Sequence, residues 1–236
     1  MKKILITLVV TFFIVIGCMA SDNPRHLSIG IIYRPNFGYR TLKPNSTPYA
    51  QYIAHLRDSI EIPKFGYATG LSFVYRFTKR LAFETGLQFS QGGYKTKKNY
   101  PDWGTTSPSL PKMVVDDYNY NYLNIPVKLN IYLLTGRVQV FISGLASANV
   151  LLSNTKVSTL QFDDGHTSTQ DQIAPKNASF FNFAAAASIG FGFDLTKRLN
   201  LTLEPNYKKS ITSLDNSAIK GYLYSAGVTA GLYFKL

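Results

Sequence analysis

The chain has 236 residues, enough for one large domain, and carries a formal charge of +12 although only 16% of its residues are charged. Such an excess calls for an anionic partner, whether nucleic acid, membrane surface or acidic polymer. The 16 Tyr and 16 Phe lie on strand-like segments and not among the basic runs, which argues against nucleic acid. Few charges and many aromatics suit a chain with much buried or lipid-facing surface.

The N-terminus reads as an export signal over residues 1–20. Met1-Lys2-Lys3 is a charged start, Ile4 to Gly17 an apolar run, and Cys18-Met19-Ala20 a small-residue cleavage site before Ser21. Val15-Ile16-Gly17-Cys18 is a rival, resembling a lipoprotein box with Val where Leu is usual. Cleavage before Ser21 is preferred and leaves no cysteine in a mature domain spanning 21–236, so no disulfide can hold it.

The first strand is expected from about His26 to Tyr33. A polar stretch with Pro35, Gly38, Pro44 and Pro48 then reads as a long loop from Arg34 to Ile62, in which Tyr49 to Ile60 has room for one or two helical turns. The second strand runs from about Gly66 to Phe77 and the third from Leu81 to about Lys95, around a short turn. A second long loop, Thr96 to Asp116, holds the only tryptophan, Trp103. The fourth strand, about Asp117 to Leu134, sets Leu123, Ile125, Val127, Leu129, Ile131 and Leu133 against Asn124, Pro126, Lys128, Asn130 and Tyr132. Tyr118, Tyr120 and Tyr122 fall out of phase with the apolar set, which either a bulge near Tyr122 or a row of inward tyrosines explains. Pro126 also suggests a bulge.

Thr135-Gly136 makes a turn into the fifth strand, Arg137 to Leu152. A third long loop is expected from Ser153 to Ser179. The sixth and seventh strands form the clearest hairpin. Phe181, Phe183, Ala185, Ala187, Ile189, Phe191 and Phe193 alternate with small or polar residues, and after Thr196-Lys197-Arg198 so do Leu199, Leu201, Leu203 and Tyr207. The turn Thr-Lys-Arg-Leu occurs twice, at Thr78 and at Thr196, with similar flanks. A short loop near Ser213 to Ala218 precedes the eighth strand, which reaches the last residue.

Eight strands joined long, short, long, short, long, short, long admit a soluble barrel or a membrane one, because both alternate. The polar face decides. On the sixth and eighth strands it is mostly Asn, Ala, Ser, Gly and Thr, where a water-facing surface would carry many Lys and Glu. Small residues suit the cramped interior of eight strands. The expected fold is therefore an all-β, eight-stranded antiparallel up-and-down transmembrane β-barrel, with short turns on the periplasmic side and long loops outside. The charges on the inner faces, Arg76, Glu84, Lys128, Asp194 and Glu204, are of mixed sign and form an expected lumen-facing cluster, with Glu84 and Glu204 beside Arg76 or Lys128.

Three stretches carry a family resemblance: Tyr122-Leu123-Asn124-Ile125-Pro126-Val127-Lys128-Leu129, Val140-Phe141-Ile142-Ser143-Gly144 and Gly86-Leu87-Gln88-Phe89-Ser90-Gln91-Gly92-Gly93. They are structural motifs, and with them nearly all of the mature chain resembles the PorT-like outer-membrane β-barrel family. The resemblance implies an eight-stranded barrel in the outer membrane. The family's namesake works in a type IX protein-secretion system. The ending Phe234-Lys235-Leu236 departs from the aromatic last residue common in such barrels.

An enzyme is the main alternative class. Its candidates are His55 with Asp58 and Ser59, and His166 with Asp163, Asp164 and Ser168, but solvated loop residues are the plainer reading. No catalytic residue, cofactor or metal ligand is assigned; Asp163-Asp164-Gly165 is too short to define a calcium loop. Trp103 is either a loop-tip binding anchor or the residue that holds its own loop. Arg34, Arg40, Lys43, Arg57, Lys95, Lys97, Lys98 and Lys112 lie in or beside the expected outer loops, positioned for lipopolysaccharide phosphates or simply solvated. A diffusion pore is the weaker transport reading, since eight strands leave room mainly for side chains. The expectation is a monomeric, non-enzymatic outer-membrane protein. Its partners are lipid, lipopolysaccharide and envelope or secretion-system proteins, with no nucleic acid.

Overall fold

The computed structural model describes residues 27–105, 107, 109–173 and 178–236. The expected leader, Met1 to Ala20, and the cleavage point before Ser21 lie outside these residues. The strands are β1 (Leu27–Pro44), β2 (Glu61–Arg76), β3 (Leu81–Thr96), β4 (Met113–Leu134), β5 (Val138–Gln161), β6 (Thr167–Ile173), β7 (Phe181–Asp194), β8 (Leu199–Ser210) and β9 (Ile219–Lys235). One helix, α1 (Pro48–Ile60), joins β1 to β2.

Every paired strand is antiparallel. The sheet runs β4-β3-β2-β1-β9-β8-β7-β5 and closes on itself through β4 and β5. Eight strands make the ring. The ninth, β6, lies outside it and pairs only with the far end of β5, from Thr155 to Gln161. Closure leaves the ring no open edge.

The period-two pattern maps onto two unlike surfaces. Ile31, Phe37, Leu71, Leu87, Val127, Leu133, Phe183, Ile189 and Phe191 are exposed on the outside. Ser72, Gln88, Asn124, Asn130, Ser143, Asn149, Asn182 and Thr202 are buried inside. A water-soluble protein would show the reverse. Many of the enclosed polar groups are hydrogen-bonded to one another: Ser143 Oγ donates to Asn130 Oδ1 (2.6 Å) and Asn130 Nδ2 to Glu84 Oε2 (3.0 Å).

The two Thr-Lys-Arg-Leu turns are structural twins. Thr78 Oγ1 accepts from the Arg80 and Leu81 N–H groups at 3.1 and 3.0 Å; Thr196 Oγ1 accepts from Arg198 and Leu199 at 3.2 and 3.0 Å. The hydroxyl satisfies turn amides that no strand reaches, which is why the same tetrapeptide serves twice.

The ring is tightly filled where Phe141 meets β7. A Cβ on Gly190 would lie 2.1 Å from Cζ of Phe141, a ring only 2% exposed. Gly190→Ala is expected to destabilise the barrel by about 1–3 kcal/mol through overpacking. Gly144→Ala, where a Cβ meets nothing within 4 Å, is expected to be neutral. Urea unfolding in lipid vesicles compares them, and equal midpoints would contradict this packing.

The structure corrects several sequence expectations. The stretch from Arg34 to Ile62 is not a long loop. Ring strand β1 continues to Pro44, α1 follows after three residues, and β2 starts at Glu61. The helix begins where Thr47 Oγ1 accepts from the Ala50 N–H (3.4 Å) with Pro48 in the first turn, both strong start signals. It ends at Glu61, whose extended backbone (φ −90°, ψ 143°) leaves the helical region. The expected loop from Ser153 to Ser179 is largely strand, because β5 runs on to Gln161 and turns back as β6. The register of β4 against β5 shifts between Asn121 and Tyr122, so a bulge is there, and the tyrosines also point inward. Pro126 carries no bulge. The β3–β4 pairing passes from Thr85↔Val127 to Gln88↔Asn124 in unbroken register, and Pro126 is buried with its missing N–H towards β3.

Candidate functional site

The interior is organised in tiers. In the middle tier, Lys128 on β4 places Nζ 2.9 Å from Glu84 Oε2 on β3 and 2.6 Å from Glu204 Oε2 on β8, across the ring. All three are at most 7% exposed. Ser72 Oγ (2.6 Å) and Tyr233 OH (3.0 Å) donate to Glu84 Oε1. One ammonium thus holds two carboxylates; Ser72, Tyr233 and Asn130 add donors to Glu84, and Ser188 adds one to Glu204 Oε2 at 3.3 Å. Burial of ions requires such satisfaction.

The tier towards the short turns holds the other two charges of the expected cluster, apart from the first three. Asp194 Oδ1 accepts from Lys235 Nζ and from Asn200 Nδ2, both at 2.7 Å. Arg76 lies over the Tyr132 ring (4.2 Å) and donates to Gln139 Oε1 at 3.3 Å. Gln139 Nε2 donates in turn to Asp194 at 3.3 Å, linking the two through one amide. These groups line a wide vestibule of about 700 Å³.

The third tier, at the long-loop end, was missed by sequence reasoning. Arg40, 1% exposed, ion-pairs with Glu61, and its Nη1 lies 3.0 Å from Asp58 Oδ1. Its guanidinium sits over the Tyr94 ring at 5.1 Å. Arg57 on α1 donates to Glu61 Oε1 (2.9 Å) and to Tyr94 OH (3.2 Å). Burial alone would lower the Arg57 pKa, but the Glu61 hydrogen bond and the neighbouring tyrosine outweigh it and the net direction is up. Tyr94, Tyr120, Tyr122 and Leu214 pack together there. The signal was present: Arg34, Asn36, Gly38 and Arg40 continue the inward phase of Gly30 and Ile32.

The cations expected to face lipopolysaccharide must be redivided. Arg34 and Arg40 are buried inside the ring, at 8% and 1% exposure. Lys112 is exposed and lies 3.4 Å from Asp163. Trp103 is partly exposed, and its Nε1 donates to the Pro111 carbonyl (2.9 Å), so the indole ties its own loop. Of the histidines, His55 is exposed on α1, and His166 stacks on Phe162 at 6.0 Å. Among the described residues no group of His, Cys, Asp and Glu has the makings of a metal site.

An antiparallel ring with an apolar outside and a charged, hydrogen-bonded inside is a transmembrane β-barrel of the outer-membrane class. The chain belongs to the family of the outer membrane protein beta-barrel domain, whose family model matches residues 19–235, and the family places it in the bacterial outer membrane. No curated protein matches it. Among solved structures it is similar to Neisserial surface protein A (14% identity, TM-score 0.46), covering 89% of this chain and 96% of that one. It is also similar to the outer membrane protease OmpT of Escherichia coli (7%, 0.43, 92% and 99%) and to OprG of Pseudomonas aeruginosa (13%, 0.38, 91% and 100%).

Proposed function

We propose that this chain is a non-enzymatic, monomeric outer-membrane protein, exported by its N-terminal segment, whose long-loop end is a folded binding platform on the cell surface. The observation that carries this reading is the Arg40 knot. It ties α1 to the strand ends, where mere connectors would need no buried ion pairs. The extension of β4 and β5 is tied in the same way: Lys64 ion-pairs with Asp117, and Lys156 lies 3.0 Å from Asp116. A rigid surface loses little entropy on binding. Against an enzyme stands the engagement of Glu84, Glu204 and Asp194 in ion pairs, which leaves none as a ready base. Lipopolysaccharide meets Lys97, Lys98 and Lys112 at this end, and envelope proteins are the other partner class. An accessory role in type IX secretion, of the PorT-like kind, is one form that such a platform takes.

Orientation tests the proposal. Single cysteines at Thr105, Asp163 and Lys197 are read on intact cells with an impermeant maleimide; Gly104 and Gly165 are avoided because their φ values of +64° and +81° resist a side chain. Thr105→Cys and Asp163→Cys are expected to label, and Lys197→Cys only after the outer membrane is opened. Labelling of Lys197→Cys alone on intact cells would put the platform in the periplasm and end the surface-binding reading.

A further inference from the structure

Between the Lys128 tier and the Arg40 knot lies a cavity of about 70 Å³. Arg34, Asn36, Asn124, Asn149, Asn182 and Lys208 contribute to its lining. A single water needs about 10–15 Å³ measured this way, so the space holds a group of several heavy atoms with its waters.

The charge in this tier does not balance. Arg34 is 8% exposed, and its Nε is buried without a hydrogen-bond partner. Lys208 Nζ makes one hydrogen bond, to Asn149 Oδ1 at 3.2 Å, and has two protons to spare. Among the described residues neither cation has a carboxylate within ion-pair distance. Glu84 and Glu204, the nearest acids along the lumen, share Lys128; the one negative charge left over acts on Arg34 through Glu204 without a direct contact, and none is left for Lys208. The amides nearby are committed elsewhere: Asn149 Nδ2 donates to Asn182 (3.3 Å), Asn182 Nδ2 to the Thr212 carbonyl (3.0 Å) and Asn124 Nδ2 to Ser90 (2.8 Å). Buried Arg34 and half-buried Lys208 face one small cavity with unused donors and no carboxylate in contact, and together they carry one positive charge more than the acids of the lumen beside them can match.

We propose that this cavity is a binding site for a phosphate-class oxyanion, held between the Arg34 guanidinium and the Lys208 ammonium. A guanidinium offers planar paired donors and an ammonium a mobile point charge, a combination matched to the several oxygens of a tetrahedral anion. The site lies inside the ring, so it stands or falls independently of which way the barrel faces.

The test uses the folded full-length barrel in phosphate-free detergent, titrated in separate arms with inorganic phosphate and with a short-chain phosphatidic acid. Thermal unfolding and titration calorimetry are the readouts. Saturable binding of inorganic phosphate that raises the unfolding temperature is expected, weakened at least tenfold in Arg34→Gln and in Lys208→Gln. The same dependence on both residues with phosphatidic acid alone would assign the anion to a lipid headgroup. Asn124→Asp places a carboxylate in the cavity; it is expected to raise the unfolding temperature without phosphate and to abolish the phosphate response. If Arg34→Gln fails to fold, Lys208→Gln and Asn124→Asp decide. Absence of saturable binding in both arms, or binding unchanged in folded Lys208→Gln and Asn124→Asp, would overturn the proposal.

Discussion

Replacing Lys128 with methionine is expected to destabilise the barrel by about 3–5 kcal/mol, the range found when one partner of a buried ion pair is removed. The size follows from what remains. Glu84 and Glu204 both stay buried, lose their shared cation and repel each other. The Ser72, Asn130 and Tyr233 donors still serve Glu84, but they carry no full charge. The triple variant Lys128→Met, Glu84→Gln, Glu204→Gln removes all three ions and is expected to recover most of the loss, since neutral polar groups fit the same hydrogen-bonding surroundings. Urea unfolding in lipid vesicles measures both. A single variant within 1 kcal/mol of wild type would mean that water, not protein, solvates the carboxylates.

Arg40→Met is expected to release α1 while leaving the ring closed. Arg40 is the common partner of Glu61 at the start of β2 and of Asp58 in the helix, and its loss strands a buried Glu61 with Arg57 alone. At about 3 kcal/mol for a broken buried pair, α1 should open roughly a hundredfold more often. Brief trypsin treatment of the folded barrel reads this directly, because Arg57 lies within the helix. Wild type is expected to resist at Arg57 and Arg40→Met to be cut there, with heat-modifiable migration of the barrel unchanged before cleavage. Equal cleavage of both would show that the knot does not hold the helix.

The ring was legible because a barrel in lipid has two unlike solvents, one on each face of every strand. That is why Phe181 to Phe193 and Leu199 to Tyr207 read so plainly. Beyond the ring the signal fades for a physical reason. The far part of β5 and all of β6, with Thr, Ser, Gln and Lys on both faces, have no membrane to sort them. Their turn signal, Asp163-Asp164-Gly165, is visible, but beside His166 and Ser168 it reads as a catalytic or metal loop and not as a hairpin turn. In β1, Pro35 and Gly38 read as loop punctuation, although Tyr33, Phe37 and Tyr39 kept the outward phase. The helix hid behind alanines. Ala50 and Ala54 are its buried residues, while Tyr49, Tyr52 and Leu56 are exposed, so no wide apolar stripe announced it.

The charged interior was half legible. Which side chains share the inner face follows from parity along each strand. Which of them meet depends on the stagger between strands distant in sequence, which parity does not contain. Glu204 reaches Lys128 across the ring, and Asp194 takes Lys235. Lys208 and Arg34 share the inward phase but fell in stretches read as a strand end and a loop.

The ring has one seam. Every other pairing joins strands that follow one another around it in chain order, whereas Ser28 to Pro44 pair with Lys235 to Ile219, joining the first strand to the last. Assembly by successive hairpins therefore yields an almost complete sheet with two raw edges, and the final event brings together segments separated by nearly the whole chain. Its entropic penalty grows only as the logarithm of that separation. Until it occurs, however, both edges can recruit foreign strands. The slow and vulnerable moment in the life of this molecule is thus expected to be the meeting of β1 with β9. A helper that shields β9 until β1 arrives would govern the yield of folded barrel more than any contact within a single hairpin.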